Sequence, residues 1–208
     1  MGWYDVFSLT YDRQLEALYA PHRAAAVAAL HGQPGDVVLD VACGTGQSFA
    51  GIVEAIGPTG RVVGIDRSAG MLARARRRAE SAGWGNVHLI HAPAGDVATA
   101  DLGVQHVDRL LLALALTAID DWRAVLARAL SRVRPGGSCV ILDVHAERRT
   151  MQARMVEVVA RADLRRRAWE PLEAACPDFQ RIDTAAPART FGGALYIASG
   201  TMPVDTAP

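Results

Sequence analysis

The sequence predicts an α/β fold built on a doubly wound, mostly parallel sheet, and three observations support this. The segment Val37–Val41 is a short apolar, β-branched run that suits a strand covered on both faces, and a glycine turn and a helical pattern follow it. Four similar runs alternate with helical patterns over residues 61–144, as parallel strands with crossover helices require. Two final runs, residues 177–184 and 193–201, predict an antiparallel pair and bring the strand number to seven.

Composition places the chain among ordinary globular proteins. It has 208 residues, of which half are hydrophobic and 21% are charged, and this suits one domain with a single core. The 22 basic and 22 acidic residues cancel, so no polyanionic partner such as nucleic acid is implied. Every basic residue is an arginine, and the absence of lysine excludes a lysine base or a Schiff base.

The cysteines and the first residues indicate a compartment. Cys43, Cys139 and Cys176 are odd in number and lack C-x-x-C spacing, so neither a disulfide framework nor a metal site is expected. The beginning of the chain lacks a basic region followed by an apolar core. The longest apolar run, residues 110–116, is far shorter than the ~20 residues of a membrane span. We therefore expect a cytoplasmic protein.

The turn after the first strand is the predicted ligand site. Gly44 and Gly46 permit a tight turn and let a ligand approach bare backbone. A helix over residues 47–56 would direct its unpaired N–H groups and its positive dipole end at that turn. Phe49 replaces the third glycine of the fingerprint G-x-G-x-x-G, which disfavours NAD. Asp40 would repel a pyrophosphate but suits a ligand ammonium group.

The string VLDVACGTG, residues 38–46, resembles motif I of the class I S-adenosylmethionine (SAM)-dependent methyltransferases. The resemblance implies the Rossmann-like seven-stranded fold of that family, SAM as the cofactor and methyl transfer as the reaction. It also implies that the cofactor is contacted by Asp40, Ala42, Cys43, Gly44, Thr45 and Gly46.

The second strand, predicted over residues 61–65, ends in Asp66. This carboxylate lies 20 residues beyond the second glycine of the turn, where an acidic residue accepts both hydroxyls of a ribose. The next residues resemble the family pattern D-x-S-x-x-M-L, so Ser68 should cap the following helix and Met71 should lie over the adenine. Arg67 joins the predicted cofactor contacts.

The turn after the third strand, residues 87–90, is the predicted adenine site. In related enzymes an acidic residue just before the Ala94 position accepts a hydrogen bond from the adenine amino group, and here Pro93 stands in its place. The Ala94 N–H remains a predicted contact to the adenine ring. Whether Asp96 takes over the role of the missing acidic residue stays open.

The fourth strand, Val107–Ala113, is predicted to supply an apolar wall. Leu112, Ala113 and Leu114 are expected at the ligand crevice, because open α/β sheets bind ligands at the carboxyl ends of their strands, and Leu112 and Ala113 are the predicted cofactor contacts. The sequence has no Asn-Pro-Pro-Tyr, the signature of enzymes that methylate amino groups of DNA bases and glutamine. Nucleic acid is therefore disfavoured as the substrate.

Residues 1–32 are predicted to form a helical arm. Aromatic and apolar residues at helical spacing predict one helix, and Pro21 is expected to start a second one that ends at Leu30. The arm either covers the core or forms a lid over the cofactor turn. It resembles the arm of glycine N-methyltransferase and its relatives, where a Tyr-Asp pair precedes an Arg that meets the cofactor. The corresponding residues are Tyr4-Asp5, with Tyr11-Asp12 as a second pair, and Arg23.

The remainder of the chain is predicted to form the substrate side. A helix over residues 121–133 should stop at an Arg-Pro-Gly-Gly turn, a strand should follow at residues 139–144, and an arginine-rich helix should span residues 148–167. The predicted single domain, residues 1–208, thus has three parts: the arm over residues 1–32, a SAM-binding core over residues 33–145, and a substrate-side part over residues 146–208.

The predicted function is SAM-dependent methyl transfer to a nitrogen or oxygen nucleophile of a small molecule. Alignment of the nucleophile with the methyl group supplies most of the acceleration, so a dedicated base is optional. The candidates for contact with the nucleophile are His145, Asp143, Tyr4 and Tyr11.

Two alternatives to this function stay open. Residues 119–143 resemble the bacterial phospholipid N-methyltransferases, so a lipid headgroup is an alternative acceptor, and a membrane surface is a partner only in that case. The chain could also be a SAM-fold protein without methyl transfer, such as a cyclase or a SAM-binding regulator. The sequence does not indicate an oligomeric state.

Overall fold

The computed structural model describes residues 12–148, 150–184 and 192–204, and these form one seven-stranded sheet with flanking helices. Its strand order is β3-β2-β1-β4-β5-β7-β6. The first five strands are parallel, and β7 runs antiparallel to both β5 and β6. The prediction of a doubly wound, mostly parallel sheet with a final antiparallel pair is confirmed. The strands are β1 Val37–Val41, β2 Arg61–Asp66, β3 Val87–His91, β4 Val107–Ala113, β5 Val133–His145, β6 Gln180–Asp183 and β7 Ala194–Thr201.

Both faces of the sheet are covered by helices. Along β1, Val38 and Leu39 point to opposite faces and belong to two separate buried clusters. Within the described residues, no helix is long and apolar enough to cross a membrane. The helices are α1 Asp12–Ala29, α2 Phe49–Ile56, α3 Ala69–Ala82, α4 Trp122–Leu130, α5 Met151–Ala160 and α6 Glu170–Ala175.

The strand order changes direction at β1, and this change positions the site. β1 pairs with β2 on one side and with β4 on the other. The connections that leave the ends of these strands therefore diverge and open a crevice, which is where open α/β sheets bind ligands. The glycine turn follows Val41 directly and lies at this crevice.

The predicted break at Pro21 is wrong, because α1 runs without interruption from Asp12 to Ala29 with Pro21 inside it. A proline normally breaks a helix, since it lacks the N–H and its ring crowds the preceding turn. Here Leu18 lies before the proline and Leu30 beyond it, and both pack against the same core cluster. Tertiary packing on the two sides of Pro21 holds the helix together. Residues 1–11 lie outside the described part of the chain.

The predicted turn between α4 and the fifth strand is also wrong in detail. α4 ends at Leu130, and residues 134–137 belong to β5. Val107 of β4 pairs with Val133, yet Arg109, two residues later, pairs with Ser138. The Arg-Pro-Gly-Gly sequence is therefore an insertion that bulges out within the strand, with a positive φ of 74° at Gly136.

The arginine-rich helix is shorter than predicted. α5 spans Met151–Ala160 instead of residues 148–167, and Arg161 ends it in a left-handed conformation with φ of 50°. Leu164 is buried and its carbonyl accepts from the N–H of Ala146 at 2.8 Å. Burial of this leucine turns the chain back onto the sheet and stops the helix. The short α6, Glu170–Ala175, was not predicted.

Candidate active site

A cleft of about 440 Å³ lies at the carboxyl ends of the central strands. This volume falls in the range of small-molecule and cofactor sites, roughly 300–1,000 Å³. The cleft has a polar half, formed by the turns after β1, β2 and β3 and by Arg23 of α1. Its other half is largely apolar and is formed by residues 113–121, after β4, together with Val125 of α4.

Asp66 and Gly44 meet in the polar half. The N–H of Gly44 donates to Oδ2 of Asp66 at 2.9 Å, and the N–H of Ser68 donates to Oδ1 at 2.8 Å. Burial raises the pKa of Asp66, and these two hydrogen bonds oppose the rise. Each carboxylate oxygen keeps a further lone pair, so the group retains the capacity to accept two hydroxyls.

The two glycines of the turn have different roles. Gly44 has φ of 57°, and a Cβ at this position would meet no heavy atom within 4 Å, so open space lies beside its backbone. Gly46 has φ of 73°, and its Cβ would lie 2.5 Å from the Phe49 ring. Phe49 is fully buried under the turn. The phenylalanine that replaces the third glycine of the dinucleotide fingerprint therefore packs in the core.

Asp40 lies behind the cleft and does not line it. It is 2% exposed at the end of β1. Burial, together with a smaller effect of the neighbouring charge of Asp66, raises its pKa from 3.8 to about 7 against the attraction of Arg23. Its pairing with a ligand ammonium group stays a prediction.

The helix after β2 begins as predicted. The hydroxyl of Ser68 accepts from the N–H of Met71 at 3.2 Å, which is the N-cap interaction that the sequence pattern implied. This cap fixes the first turn of α3 beside Asp66. Met71 and Arg67 both line the cleft in consequence.

The turn after β3 forms the predicted adenine end of the cleft. Pro93 and Asp96 close it, with the N–H of Asp96 donating to the Pro93 carbonyl at 2.9 Å. Arg128 of α4 donates to the carbonyl of Gly95 and ties the turn to the helix. Ala94 and Asp96 both line the cleft. Asp96 is therefore placed where it could replace the acidic residue that related enzymes have at the position of Pro93.

Ten of the thirteen predicted cofactor residues line this cleft. They are Arg23, Ala42, Cys43, Gly44, Thr45, Asp66, Arg67, Met71, Ala94 and Ala113. The other three, Asp40, Gly46 and Leu112, do not line it. Leu112 is 1% exposed and packs in the core, because its side chain points from β4 toward the covering helices.

The apolar half contains residues that the sequence analysis missed. Leu114, which the sequence placed at the crevice, directly follows β4 with a positive φ of 58°, and its N–H donates to the Leu142 carbonyl at 2.6 Å. Small and apolar side chains follow it along the loop. No motif marks them, and only the short apolar continuation of β4 could have indicated a wall here. The missed residues of this half are Ala115, Ala118, Ile119, Asp120, Asp121 and Val125.

Residues 114–119, hereafter the acceptor loop, are held in place by hydrogen bonds from distant segments. Thr117 donates its hydroxyl to Asp143 at 2.9 Å and its N–H to the same carboxylate at 3.2 Å. The Thr117 carbonyl accepts from the N–H of Asp163 at 2.8 Å. Arg166 donates to the carbonyls of Leu116 at 2.7 Å and Ile119 at 2.5 Å. These hydrogen bonds fix the position of the loop relative to β5 and to residues 163–166.

The position of Asp143 argues against its predicted contact with the nucleophile. The side chain is 1% exposed, does not line the cleft, and accepts hydrogen bonds from Thr117 and from the N–H of Val144. Burial raises its pKa, and these hydrogen bonds oppose the rise. Asp143 supports the acceptor loop from below, so its effect on the cleft is indirect.

The position of His145 also argues against its predicted role. It lines a separate depression of about 330 Å³ with Arg165, Arg167 and Arg181, and its ring meets Trp169 edge-on at 4.9 Å. Nδ1 lies 3.2 Å from the carbonyl of Arg166, whose guanidinium holds the acceptor loop. The chain around Arg166 thus connects His145 to the loop without bringing the imidazole into the cleft. Burial lowers the pKa of His145.

The remaining two candidates for the nucleophile contact, Tyr4 and Tyr11, lie outside the described residues. Among the residues that the structure does describe, no group of three or more His, Cys, Asp or Glu side chains is arranged to hold a metal ion.

Comparison with known sequences places the chain in a family. A family model described as a methyltransferase domain matches residues 33–179. An uncharacterized 37.1 kDa protein in transposon TN4556 of Streptomyces fradiae is 33% identical over 120 residues, which are 58% of this chain and 33% of that protein. Demethylmenaquinone methyltransferase of Geobacillus kaustophilus is 30% identical over 144 residues, which are 67% of this chain and 60% of that enzyme. The chain thus spans between a third and three fifths of the length of these relatives.

Comparison with solved structures supports the same fold. Geranyl diphosphate C-methyltransferase from Streptomyces coelicolor A3(2), solved with Mg²⁺, geranyl diphosphate and S-adenosyl-L-homocysteine, aligns with a TM-score of 0.69. The alignment has 17% identity and covers 88% of this chain and 79% of that one. The family model covers more than half of the chain, and the seven-stranded sheet aligns with that solved methyltransferase. The chain therefore belongs to the class I SAM-dependent methyltransferases, with SAM as its cofactor.

Proposed function

We propose that this protein transfers a methyl group from SAM to a nitrogen or oxygen nucleophile of a small molecule that has an apolar body. The observation that carries the proposal is the division of the cleft into two halves. A carboxylate and bare glycine backbone lie in one half, and an apolar, hydrogen-bonded loop lies in the other. The first half suits a nucleoside and the second suits an uncharged acceptor.

The polar half binds the cofactor. Asp66 accepts both ribose hydroxyls, since each of its oxygens keeps a lone pair after accepting from Gly44 or Ser68. The absence of a Cβ at Gly44 leaves space for the ligand beside the backbone. Arg23 pairs with the carboxylate of the cofactor as a charge-assisted contact, and Met71 packs against the adenine.

The chemistry requires alignment more than acid–base catalysis. When bound, SAM supplies an electrophilic methyl group on a positively charged sulfur. The acceptor loop fixes the wall against which the nucleophile rests, and its anchoring by Asp143 and Arg166 keeps that wall rigid. The carboxylates of Asp120 and Asp121 also line this half, and they are the described groups there that could take up a proton.

A carbon nucleophile is the second candidate. The relatives include a demethylmenaquinone methyltransferase, and the similar solved structures include a geranyl diphosphate C-methyltransferase. An apolar acceptor wall suits a carbon nucleophile as well as a heteroatom. Product analysis distinguishes the two, because the position of the transferred methyl identifies the nucleophile.

Calorimetry of SAM binding and labelled-methyl transfer test the proposal. Asp66→Ala should weaken SAM binding tenfold or more, because loss of charge-assisted hydrogen bonds removes about 1.5–3 kcal/mol. Glu80→Gln, an exposed acidic residue of α3, is the matched control and should leave the affinity unchanged.

The second measurement incubates the protein with methyl-labelled SAM and candidate apolar acceptors. S-adenosylhomocysteine and a labelled product should form together. Unchanged SAM affinity in Asp66→Ala would refute the assigned ribose contact. SAM binding without turnover on any acceptor would favour a SAM-binding regulator, and product without a transferred methyl would favour a cyclase.

A further inference from the structure

Helix α5 presents an apolar stripe to solvent. Met151, Met155 and Val158 are 87%, 66% and 75% exposed. At 100° per residue they fall within an arc of about 60°, so they form one continuous stripe. The other large hydrophobic residues exposed to this degree in the described part of the chain, Ile182 and Val204, lie on separate segments.

The opposite face of α5 packs against the core. Ala153 and Glu157 are buried there, and Val156 packs against the cluster that contains Leu164. The exposed stripe is therefore additional to the face that attaches the helix to the sheet. An amphipathic helix needs one apolar face for this purpose, and α5 has two.

The segment that contains the stripe is rich in arginine. Residues 148–167 contain seven arginines and two acidic residues, in a chain whose net charge is zero. Arg148, Arg154 and Arg165 are exposed, and none of them forms an ion pair in the described structure. Exposed methionine and valine beside the exposed Arg154, in an arginine-rich segment, form the pattern of a helix that lies in a lipid–water interface.

The stripe lies at the same edge of the sheet as the apolar half of the cleft, which we call the acceptor half because the acceptor is proposed to bind there. α5 begins six residues after His145, the last residue of β5. Just beyond the helix, Asp163 and Arg166 contact the acceptor loop through Thr117 and Leu116. A surface bound by α5 is therefore close to the loop that receives the acceptor.

We propose that α5 docks this protein on an anionic lipid surface, from which the acceptor enters the cleft. This inference rests on the proposed function, because it places an apolar acceptor in the lipid phase. Lipid phosphates pair with the arginines, and the methionines and Val158 enter the acyl boundary.

A second copy of the chain fits this face less well. A two-fold dimer through α5 would oppose the same patch on both copies, so the arginines of one copy would face the arginines of the other. Repulsion between like charges opposes that contact, whereas an anionic membrane attracts both copies.

Vesicle flotation of the full chain tests the proposal. The protein should bind phosphatidylcholine vesicles that contain about 30% phosphatidylglycerol, bind pure phosphatidylcholine weakly, and lose binding as salt rises. Met155→Ser removes the centre of the stripe, and Arg154→Glu reverses an adjacent charge. Each should lower vesicle partitioning at least about fivefold.

Two control variants match these changes on other surfaces. Ile182→Ser alters an equally exposed apolar residue, and Arg77→Glu makes the same charge change on α3. Both should retain wild-type partitioning. All four positions are exposed, so thermal unfolding should stay near that of the wild type.

Absence of binding to anionic vesicles, or equal loss of binding in the test and control variants, would overturn the proposal. So would concentration-dependent dimerisation that Met155→Ser abolishes while vesicle binding persists. Flotation needs no acceptor and no turnover. SAM calorimetry on the same samples therefore separates failure of membrane docking from failure of the proposed function.

Discussion

The two halves of the cleft are built in different ways. In the polar half, which we propose binds the cofactor and call the cofactor half, the lining residues other than Arg23 lie at or closely follow the ends of strands. Backbone N–H groups position the carboxylate there: Gly44 and Ser68 donate to Asp66, and Ser68 caps α3. In the acceptor half, the wall is held by residues that are distant in sequence. Thr117 and Asp143 are 26 residues apart, and Leu116 and Arg166 are 50 apart.

This difference separates a backbone geometry that the local sequence fixes from one that distant side chains can adjust. A turn whose conformation depends on glycine and on strand ends tolerates few substitutions. A loop held by side chains from another segment changes shape when that segment changes. The acceptor half is therefore where we expect specificity to reside.

Substitution of the two glycines tests the cofactor half most severely. Gly46→Ala should lower the free energy of unfolding by about 2–5 kcal/mol, because its Cβ would meet the Phe49 ring at 2.5 Å in a left-handed conformation. Gly44→Ala meets open space, so only about 1–2 kcal/mol of backbone strain is expected. Urea unfolding of both variants measures the contrast. Equal destabilisation would contradict the different roles of the two glycines.

The buried carboxylate of Asp40 gives a pH-dependent test of the same half. Burial raises its pKa from 3.8 to about 7, so the folded protein holds a proton that the unfolded chain releases between these values. The contribution of Asp40 to the free energy of unfolding should therefore fall between about pH 4 and pH 7, by up to about 4 kcal/mol. Asp40→Asn cannot ionise. We expect the variant to be the more stable protein in urea at pH 8 and nearly equal to the wild type near pH 4.

Asp108 provides a control of opposite sign. Burial tends to raise its pKa, but hydrogen bonds from Arg134 and from the Val37 N–H outweigh it and lower the pKa. Its charged form stabilises the fold above the unfolded pKa, and this contribution is lost as the pH falls. Asp108→Asn should therefore be less stable than the wild type at pH 8. If Asp40→Asn changed the free energy of unfolding by the same amount at pH 4 and at pH 8, burial of an ionisable carboxylate would not be the cause of the change.

Removal of Arg166 tests the acceptor half. Arg166→Ala leaves the carbonyls of Leu116 and Ile119 without this donor and should cost about 1–3 kcal/mol of stability. Loosening of the wall should lower kcat/KM for the acceptor roughly tenfold or more while the Kd for SAM stays unchanged. Arg165→Ala, at the exposed neighbouring position, is the control. A parallel loss of SAM affinity in Arg166→Ala would refute the separation of the two halves.

His145 should give the smallest effect. A positioned general base contributes ~10²–10⁴-fold, but this imidazole lines a different depression from the cleft. We expect His145→Ala to change kcat less than about threefold. A large loss of kcat with unchanged unfolding would restore His145 as a group that reaches the acceptor.

The sequence by itself determined the cofactor half. Val37–Val41, the glycines and Asp66 are separated by short intervals, so strand period and turn chemistry sufficed to bring them to one edge of the sheet. The cap at Ser68 follows from the same local rule and was confirmed. These features depend on neighbours in the chain, and a linear pattern records such neighbours directly.

Tertiary structure decided the rest. Pro21 stays inside a helix because the core holds both ends, and α5 stops because Leu164 is buried. Asp143 and His145 lie at the end of β5, where the sequence suggested catalysis, but the chain around Arg166 supports the loop on one side and meets His145 on the other. Such outcomes depend on contacts between segments that are dozens of residues apart. The free energy of those contacts outweighs local propensity, and no local pattern encodes it.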